Sequence, residues 1–344
     1  MTAVQISNEK WLAERRKGIG GSDVAAVLGL SPWRTPLQVF FAKTGRPDPY
    51  EDTSDRKLEL MHFGNVLEDI VSKEFQARLG LKVQRVNFPI TAGKNEWMRA
   101  NIDRAVINPA LSGTVRLTDD KNRERFNGMA LTTDTILECK TANQYAAGEW
   151  GPSQEDEIRA GMIVTEHQIP LYYETQVQWY LGLTKARLCY VAVLIGGNEL
   201  RVYAVERDDK AFELIKQKCQ AFWEDCVLAG KEPEAVDIKD VLRLYGRDDG
   251  EMVEASNEMA ADIGEYRTLA AEINSQKAKL DEIKLRLVKA VGPAAGVTIG
   301  GEKAFTYKAQ TRTAVDTALL KKTHPDIWKE CLKTSEPTRS FRIS

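Results

Sequence analysis

The chain has 344 residues, 43% of them apolar and 28% charged, and 48 basic against 50 acidic groups give a formal net charge of −2. That composition excludes a wholly disordered chain. The charge balance, taken alone, argues against a surface coated throughout in basic groups for nucleic acid.

From the N-terminus, Ser22-Asp23 caps a short helix over 24–29, and Thr35-Pro36 opens another that Gly45 stops. Residues 47–56 read as a polar linker. A longer helix is predicted over 57–79, with Phe63, Leu67, Ile70, Val71 and Phe75 as its apolar stripe. Three strands follow, over 81–90, 97–107 and 132–141, with 108–130 as a charged excursion between the second and third. Residues 143–169 are polar and acidic and read as a mobile segment. Pro170 opens a helix over 171–181. The runs 186–195 and 199–206, joined by Gly196-Gly197-Asn198, form a hairpin. Asp208 then caps a helix to Leu228. This order predicts an α/β (α+β mixed) domain over residues 1–235, one mixed sheet flanked by helices.

Pro233 begins a linker, and residues 236–344 form a C-terminal extension. A long helix is predicted over 253–291, where Tyr266, Leu269, Ile273, Leu280, Ile283 and Leu287 recur at steps of three and four. Gly292-Pro293 ends it. The tail reads as a strand over 303–308, a helix over 315–322 and a last strand over 340–343.

No run of about 18 apolar residues occurs, so no membrane partner is expected. The first residues lack an apolar signal core, so secretion is not expected. The cysteines (Cys139, Cys189, Cys219, Cys226 and Cys331) show no CxxC spacing, which fits reduced thiols in the cytoplasm. His62, His167 and His324 are not at ligand spacing, so zinc is not expected and any metal would be held by oxygens.

The chemistry-bearing residues sit in the strands. Residues i and i+2 of a strand share a face, so Glu138 and Lys140 project together while Cys139 points away. With Asp103 on a neighbouring strand, two carboxylates and an ammonium suit metal-assisted hydrolysis of a phosphodiester. The acids would hold a hard cation, and the lysine would steady or deprotonate the attacking water. A cross-strand salt bridge is the competing reading of the same residues. Glu68 adds a third acid, and Gly64, one helical turn earlier, leaves room beside it. Arg15-Arg16-Lys17-Gly18-Ile19-Gly20-Gly21-Ser22 joins basic groups, flexible glycines and a hydroxyl at a helix start, a pattern suited to a phosphate. An N-capped glycine turn is the alternative. Gln176 and Gln178 lie among aromatics on the helix over 171–181.

Taken in order, Arg16–Asp23, Leu28-Gly29-Leu30-Ser31-Pro32-Trp33, Gly64–Glu68, Asn101-Ile102-Asp103, Leu137–Lys140 and Gln176-Val177-Gln178 resemble the nuclease family of phage lambda exonuclease and the YqaJ-like viral recombinases. That family belongs to the PD-(D/E)XK superfamily. The resemblance covers roughly residues 10–230 and implies a restriction-endonuclease-like core. It implies that Asp103 and Glu138, with the Cys139 carbonyl, ligate Mg²⁺ (or Mn²⁺ in its place), that Glu68 completes the metal site, that Lys140 is the catalytic lysine, and that Gln176 is an active-site glutamine. Arg16 and Ser22 resemble residues that hold a 5′-terminal phosphate, with Arg15 the competitor for Arg16. Ile102 stands where the motif has proline. The implied activity is 5′-to-3′ exonuclease digestion of double-stranded DNA ends in a bacterial or phage-infected cell, leaving 3′ single strands for a single-strand annealing protein. The implied oligomer is a trimer. A related endonuclease, and a non-catalytic DNA-binding or assembly factor, are the alternatives.

Charge is segregated along the chain. Residues 1–50 carry a net +3, residues 302–344 carry +4, and residues 149–166 carry −4. A net charge near zero is therefore compatible with a limited basic channel around an acidic, cation-binding centre.

Overall fold

Helix starts coincide with side chains that satisfy free backbone N–H groups. In the computed structural model, which describes residues 13–86, 89–92, 95–107, 133–164, 166, 168–332 and 339–343, the first helix, α1 (Gly21–Val27), begins where Asp23 accepts from the Gly20 N–H. Thr35 and Gln38 form a reciprocal capping box at the start of α2 (Pro36–Thr44), and Gly45 ends it in the left-handed region at φ 73°. Ser54 caps α3 (Asp55–Leu79) by accepting from the Lys57 N–H.

The strands β1 (Val83–Arg85), β2 (Ile90–Ala92), β3 (Asn95–Ala100), β4 (Arg104–Val106) and β5 (Thr135–Ala142) follow. A 3₁₀ turn over Gln144–Glu149 leads to the short α4 (Glu155–Arg159), then α5 (Leu171–Thr184), the hairpin β6 (Leu188–Ile195) and β7 (Glu199–Glu206), α6 (Asp209–Phe222) and α7 (Ile238–Leu244). The main sheet runs β1-β4-β5-β6-β7. Within this sheet, among the described residues, only β5 and β6 pair in parallel, and the crossover between them passes through α4 and α5. Alternation along the strands gives the sheet two apolar faces. Ile136, Val191, Val193, Tyr203 and Val205 pack with α1, α2, α5 and α6, while Leu137, Ala192 and Val202 pack with Val71 and Phe75 of α3. Phe75 is fully buried, and burial of a side chain of that size contributes roughly 1.5–3 kcal/mol. The chain thus adopts the expected α/β arrangement of a mixed sheet flanked by helices.

Three expected features differ. The strand expected over 97–107 is two strands, and so is the one over 81–90. β2 pairs with β3 in a separate ribbon, which Ile19 joins through Met98, whereas β1 and β4 pair in the main sheet. The break falls at Asn101-Ile102-Asp103, where Ile102 turns into the core at 2% exposure. The described residues of 143–169, expected to be mobile, include several that are tied to β7. The Gln154 N–H donates to the Val202 carbonyl, its side chain accepts from the Ala204 N–H, and Arg201 donates to the carbonyls of Ala147, Trp150 and Gly151. The excursion over 108–130 lies outside the described residues.

The chain divides into two compact units after Leu244, with α7 in the first. Asp240 of α7, fully buried, accepts from Thr35 Oγ1 at 2.8 Å, and Arg243 donates to Asp48 at 2.9 Å. The second unit holds the 35-residue α8 (Asn257–Val291), the hairpin β8 (Gly296–Ile299) and β9 (Glu302–Thr306), and two short helices, α9 (Thr317–Thr323) and α10 (Pro325–Glu330). The last strand expected over 340–343 does not form, and Phe341 instead sets its ring against Tyr266 of α8. Among the described residues no helix is long and apolar enough to cross a membrane.

Candidate active site

The alternation of β5 places Glu138 and Lys140 on the sheet face covered by α5. Lys140 Nζ donates to Glu138 Oε1 at 2.7 Å and to Gln176 Oε1 at 3.0 Å. Gln176 Nε2 donates in turn to the same Glu138 oxygen at 2.9 Å and to the Tyr180 hydroxyl at 2.9 Å. Gln176 and Tyr180 are one helical turn apart on α5, so the helix holds both ends of this network. Lys140 also lies 4.8 Å from the centre of the Tyr173 ring. Asp103 arrives from the break before β4, and its Oδ2 accepts from the Cys139 N–H at 2.8 Å. The structure therefore brings together Asp103, Glu138, Cys139, Lys140 and Gln176.

Burial, and then the neighbouring Glu138 charge, push the Asp103 carboxyl well above the usual carboxylate range. Burial also raises Glu138, against the opposing pull of Lys140. Burial works to depress Lys140, but the Glu138 and Asp103 carboxylates outweigh it and raise the ammonium overall. The second oxygen of Glu138 is buried without a hydrogen-bond partner, and such an atom costs free energy until something pairs with it.

Glu68 faces the same centre from α3, yet Arg104 engages it. Arg104 is 3% exposed, pairs with both Glu68 and Asp69, and donates to the Asp103 carbonyl at 2.8 Å. Sequence reasoning missed Arg104, since an arginine in a strand next to an acid has many ordinary uses. Among the described residues no three His, Cys, Asp or Glu side chains converge as a ready-made cation cage. The set still fits a hard cation that keeps several waters and takes only one or two carboxylates, the habit of Mg²⁺. Asp103 and Glu138 would hold it, with the orphan Glu138 oxygen as one donor. The Cys139 side chain packs on the opposite face of the sheet, so that residue has only its carbonyl to offer.

In the glycine-rich segment the partner of Ser22 is Arg15. Its Nη2 donates to Ser22 Oγ at 2.8 Å, whereas the exposed Arg16 guanidinium lies beside Gly45. Of the two candidate arginines, the geometry thus sets Arg15 rather than Arg16 beside Ser22. Asp23, 1% exposed, anchors the cluster by pairing with Arg15, with Arg34 at 2.7 Å and with Lys43 at 2.5 Å. Burial opposes ionisation of Asp23, but Lys43, Arg34 and Arg15 overcome it and hold the carboxyl well below its ordinary range. Arg34 and Lys43 carry no motif that sequence could have flagged. The glycines serve close packing more than freedom to flex. A Cβ at Gly18 would come within 2.2 Å of the Trp97 carbonyl, and one at Gly21 within 2.3 Å of the Tyr180 ring. Tyr180 accepts from Gln176 Nε2 at one cluster and sets its ring against Gly21 of the other, and so stands between the two. Gln178 sits outside both, bonded to the Glu206 carbonyl and the Asp208 N–H.

The pattern of the YqaJ-like viral recombinase domain matches residues 10–187. The Bacillus subtilis (strain 168) "Uncharacterized protein YqaJ" is 32% identical over 339 residues, covering 96% of this chain and 92% of that protein. Among solved structures, an alkaline exonuclease (LHK-Exo) from Laribacter hongkongensis is 17% identical, with a TM-score of 0.41 over 64% of this chain and 93% of that one. A phage-related exonuclease from Haemophilus somnus 129PT is 12% identical, with a TM-score of 0.37 over 62% of this chain and 96% of that one. On the domain match and on the likeness over nearly its whole length to the Bacillus protein, the chain belongs to the YqaJ-like viral recombinase family.

Proposed function

We propose that this protein is a Mg²⁺-dependent exonuclease that digests double-stranded DNA from 5′ ends and leaves 3′ single strands. The observation that carries this reading is the Asp103–Glu138–Lys140–Gln176 cluster, buried at Glu138 and Gln176 and half-buried at Asp103 and Lys140, with its unpaired Glu138 oxygen. When bound, the cation polarises the phosphate and lowers the pKa of a water. Glu138 and Gln176 fix the Lys140 ammonium where it offsets charge on the scissile phosphate and steadies the attacking water. Gln176, held by Tyr180, keeps that geometry as substrate enters. Arg15 and Ser22 hold a 5′-terminal phosphate, and Glu68 joins the metal site when Arg104 releases it. The partners under this reading are DNA ends and a single-strand annealing protein that takes the 3′ strand. Further copies of the chain would form a trimer.

Asp103→Ala or Lys140→Ala should reduce degradation of linear duplex DNA by at least about 10²–10³-fold, the usual cost of removing one preorganised group. Circular dichroism should show both variants folded, and full activity in either one would refute the assignment.

A further inference from the structure

Beside the hydrogen-bonded cluster, aromatic rings form a ladder from the core to the surface. The fully buried Tyr203 lies 5.7 Å from Trp150, and Trp150 lies 5.5 Å from Tyr173. Tyr173 meets Tyr172 at 4.6 Å, and Trp33 meets Tyr172 edge-on at 4.6 Å and Tyr173 at 6.1 Å. The outermost ring, Trp33, is 65% exposed. Edge-on contacts of this kind hold an indole in place while leaving ring surface open. Hydrogen bonds hold its neighbours: the Tyr172 hydroxyl donates to Glu149 at 2.7 Å, and the Trp33 backbone N–H donates to Ser31 Oγ at 3.3 Å.

The ladder meets cationic groups on two sides. Tyr173 carries the Lys140 ammonium 4.8 Å from its ring centre. Arg34, next in the chain to Trp33, reaches Asp23 at 2.7 Å in the cluster that holds Arg15 and Ser22. A firmly held, exposed aromatic surface linked to both a hydrolytic cluster and a basic cluster is the chemistry of single-strand nucleic-acid binding. There, bases stack on rings while cations follow the backbone.

We propose that Trp33, braced by Tyr172, is a stacking site for an unpaired DNA base next to the scissile phosphate. This rests on the nuclease reading above. The site is indifferent to base identity, since every base offers a π-face. It draws the strand end away from its complement and sets the phosphate toward Lys140.

The test uses the full-length protein with Ca²⁺ in place of Mg²⁺, so that binding is read without turnover. Fluorescence anisotropy follows two labelled strands, a short oligothymidylate and an abasic strand of equal length. Trp33→Ala should weaken oligothymidylate binding by about 5–100-fold, as expected for loss of one base stack. It should leave the abasic strand bound as tightly as by the wild type, and Trp33→Phe should restore most of the loss. Unchanged oligothymidylate affinity in Trp33→Ala overturns the proposal, and so does an equal loss with both strands, which marks Trp33 as a structural or protein-contact residue. Turnover of wild-type protein in Mg²⁺ separates the two readings. Cleavage with binding insensitive to Trp33 contradicts the stacking site alone, whereas base-dependent binding without cleavage contradicts the nuclease.

Discussion

Asp23 illustrates how a residue read as a helix cap can anchor a cluster. It is buried against three cations, and one of them, Lys43, has a side chain only 3% exposed. Removing one partner from such a buried set leaves an uncompensated charge, so Asp23→Asn should destabilise the protein by about 3–5 kcal/mol in urea unfolding. The folded carboxyl titrates below its unfolded value. Its stabilisation is therefore fully present above about pH 4 and is lost as pH falls toward the lower, folded value. The wild type should lose stability through that acid range more steeply than Asp23→Asn, as unfolding midpoints against pH would show. Arg15 and Arg16 allow a sharper contrast, because only Arg15 donates to Ser22. Arg15→Ala should abolish any preference for a 5′-phosphorylated over a 5′-hydroxyl end, while Arg16→Ala keeps it. A loss confined to Arg16→Ala would return the role to that residue. Glu138 and Lys140 were legible in the sequence because the two-residue strand period puts them on one face. Arg34, Lys43 and Arg104 were not, since each acts through partners 11 to 36 positions away.

Among the elements, α5 does most to organise the centre. Gln176 reaches Glu138 and Lys140, Tyr180 backs Gln176, and α1 packs close to α5 through the missing side chain of Gly21. A methyl group at Gly21 would meet the Tyr180 ring, so Gly21→Ala should cost about 1–3 kcal/mol by overpacking. It should also lower kcat by displacing Gln176, and a variant with wild-type stability and kcat would disprove that coupling. Helices and the β6–β7 hairpin were readable from local signals: caps, apolar stripes and a Gly-Gly-Asn turn. The strands before β5 were readable in composition but not in extent. Their division depends on which edge each segment pairs with, and Ile19, far away in sequence, takes part in that choice. The polar stretch over 143–169 misled for a similar reason, because its order comes from Gln154 and Arg201 bonding backbone groups about 50 residues away.

Over the whole chain, a net charge of −2 combines basic and acidic stretches that a single sum conceals. The first unit gathers Asp103 and Glu138 around β5 and sets Arg15 and Arg34 around Asp23, so acidic and basic groups lie in two separate clusters. The second unit contributes α8, whose Tyr266, Leu269, Ile273, Leu280, Ile283 and Leu287 are each 44–64% exposed. The heptad-like spacing of that stripe was plain in the sequence, but spacing alone does not say what a stripe packs against. Whether the buried cluster hydrolyses DNA, and from ends or within the strand, is decided by incubating end-labelled linear duplex and covalently closed circular DNA with the protein and Mg²⁺. The linear duplex should shorten from its 5′ ends, the circle should remain closed, and chelating the metal should stop the reaction. A nicked circle would instead mark an endonuclease, and an untouched linear duplex would show that the protein is not a nuclease.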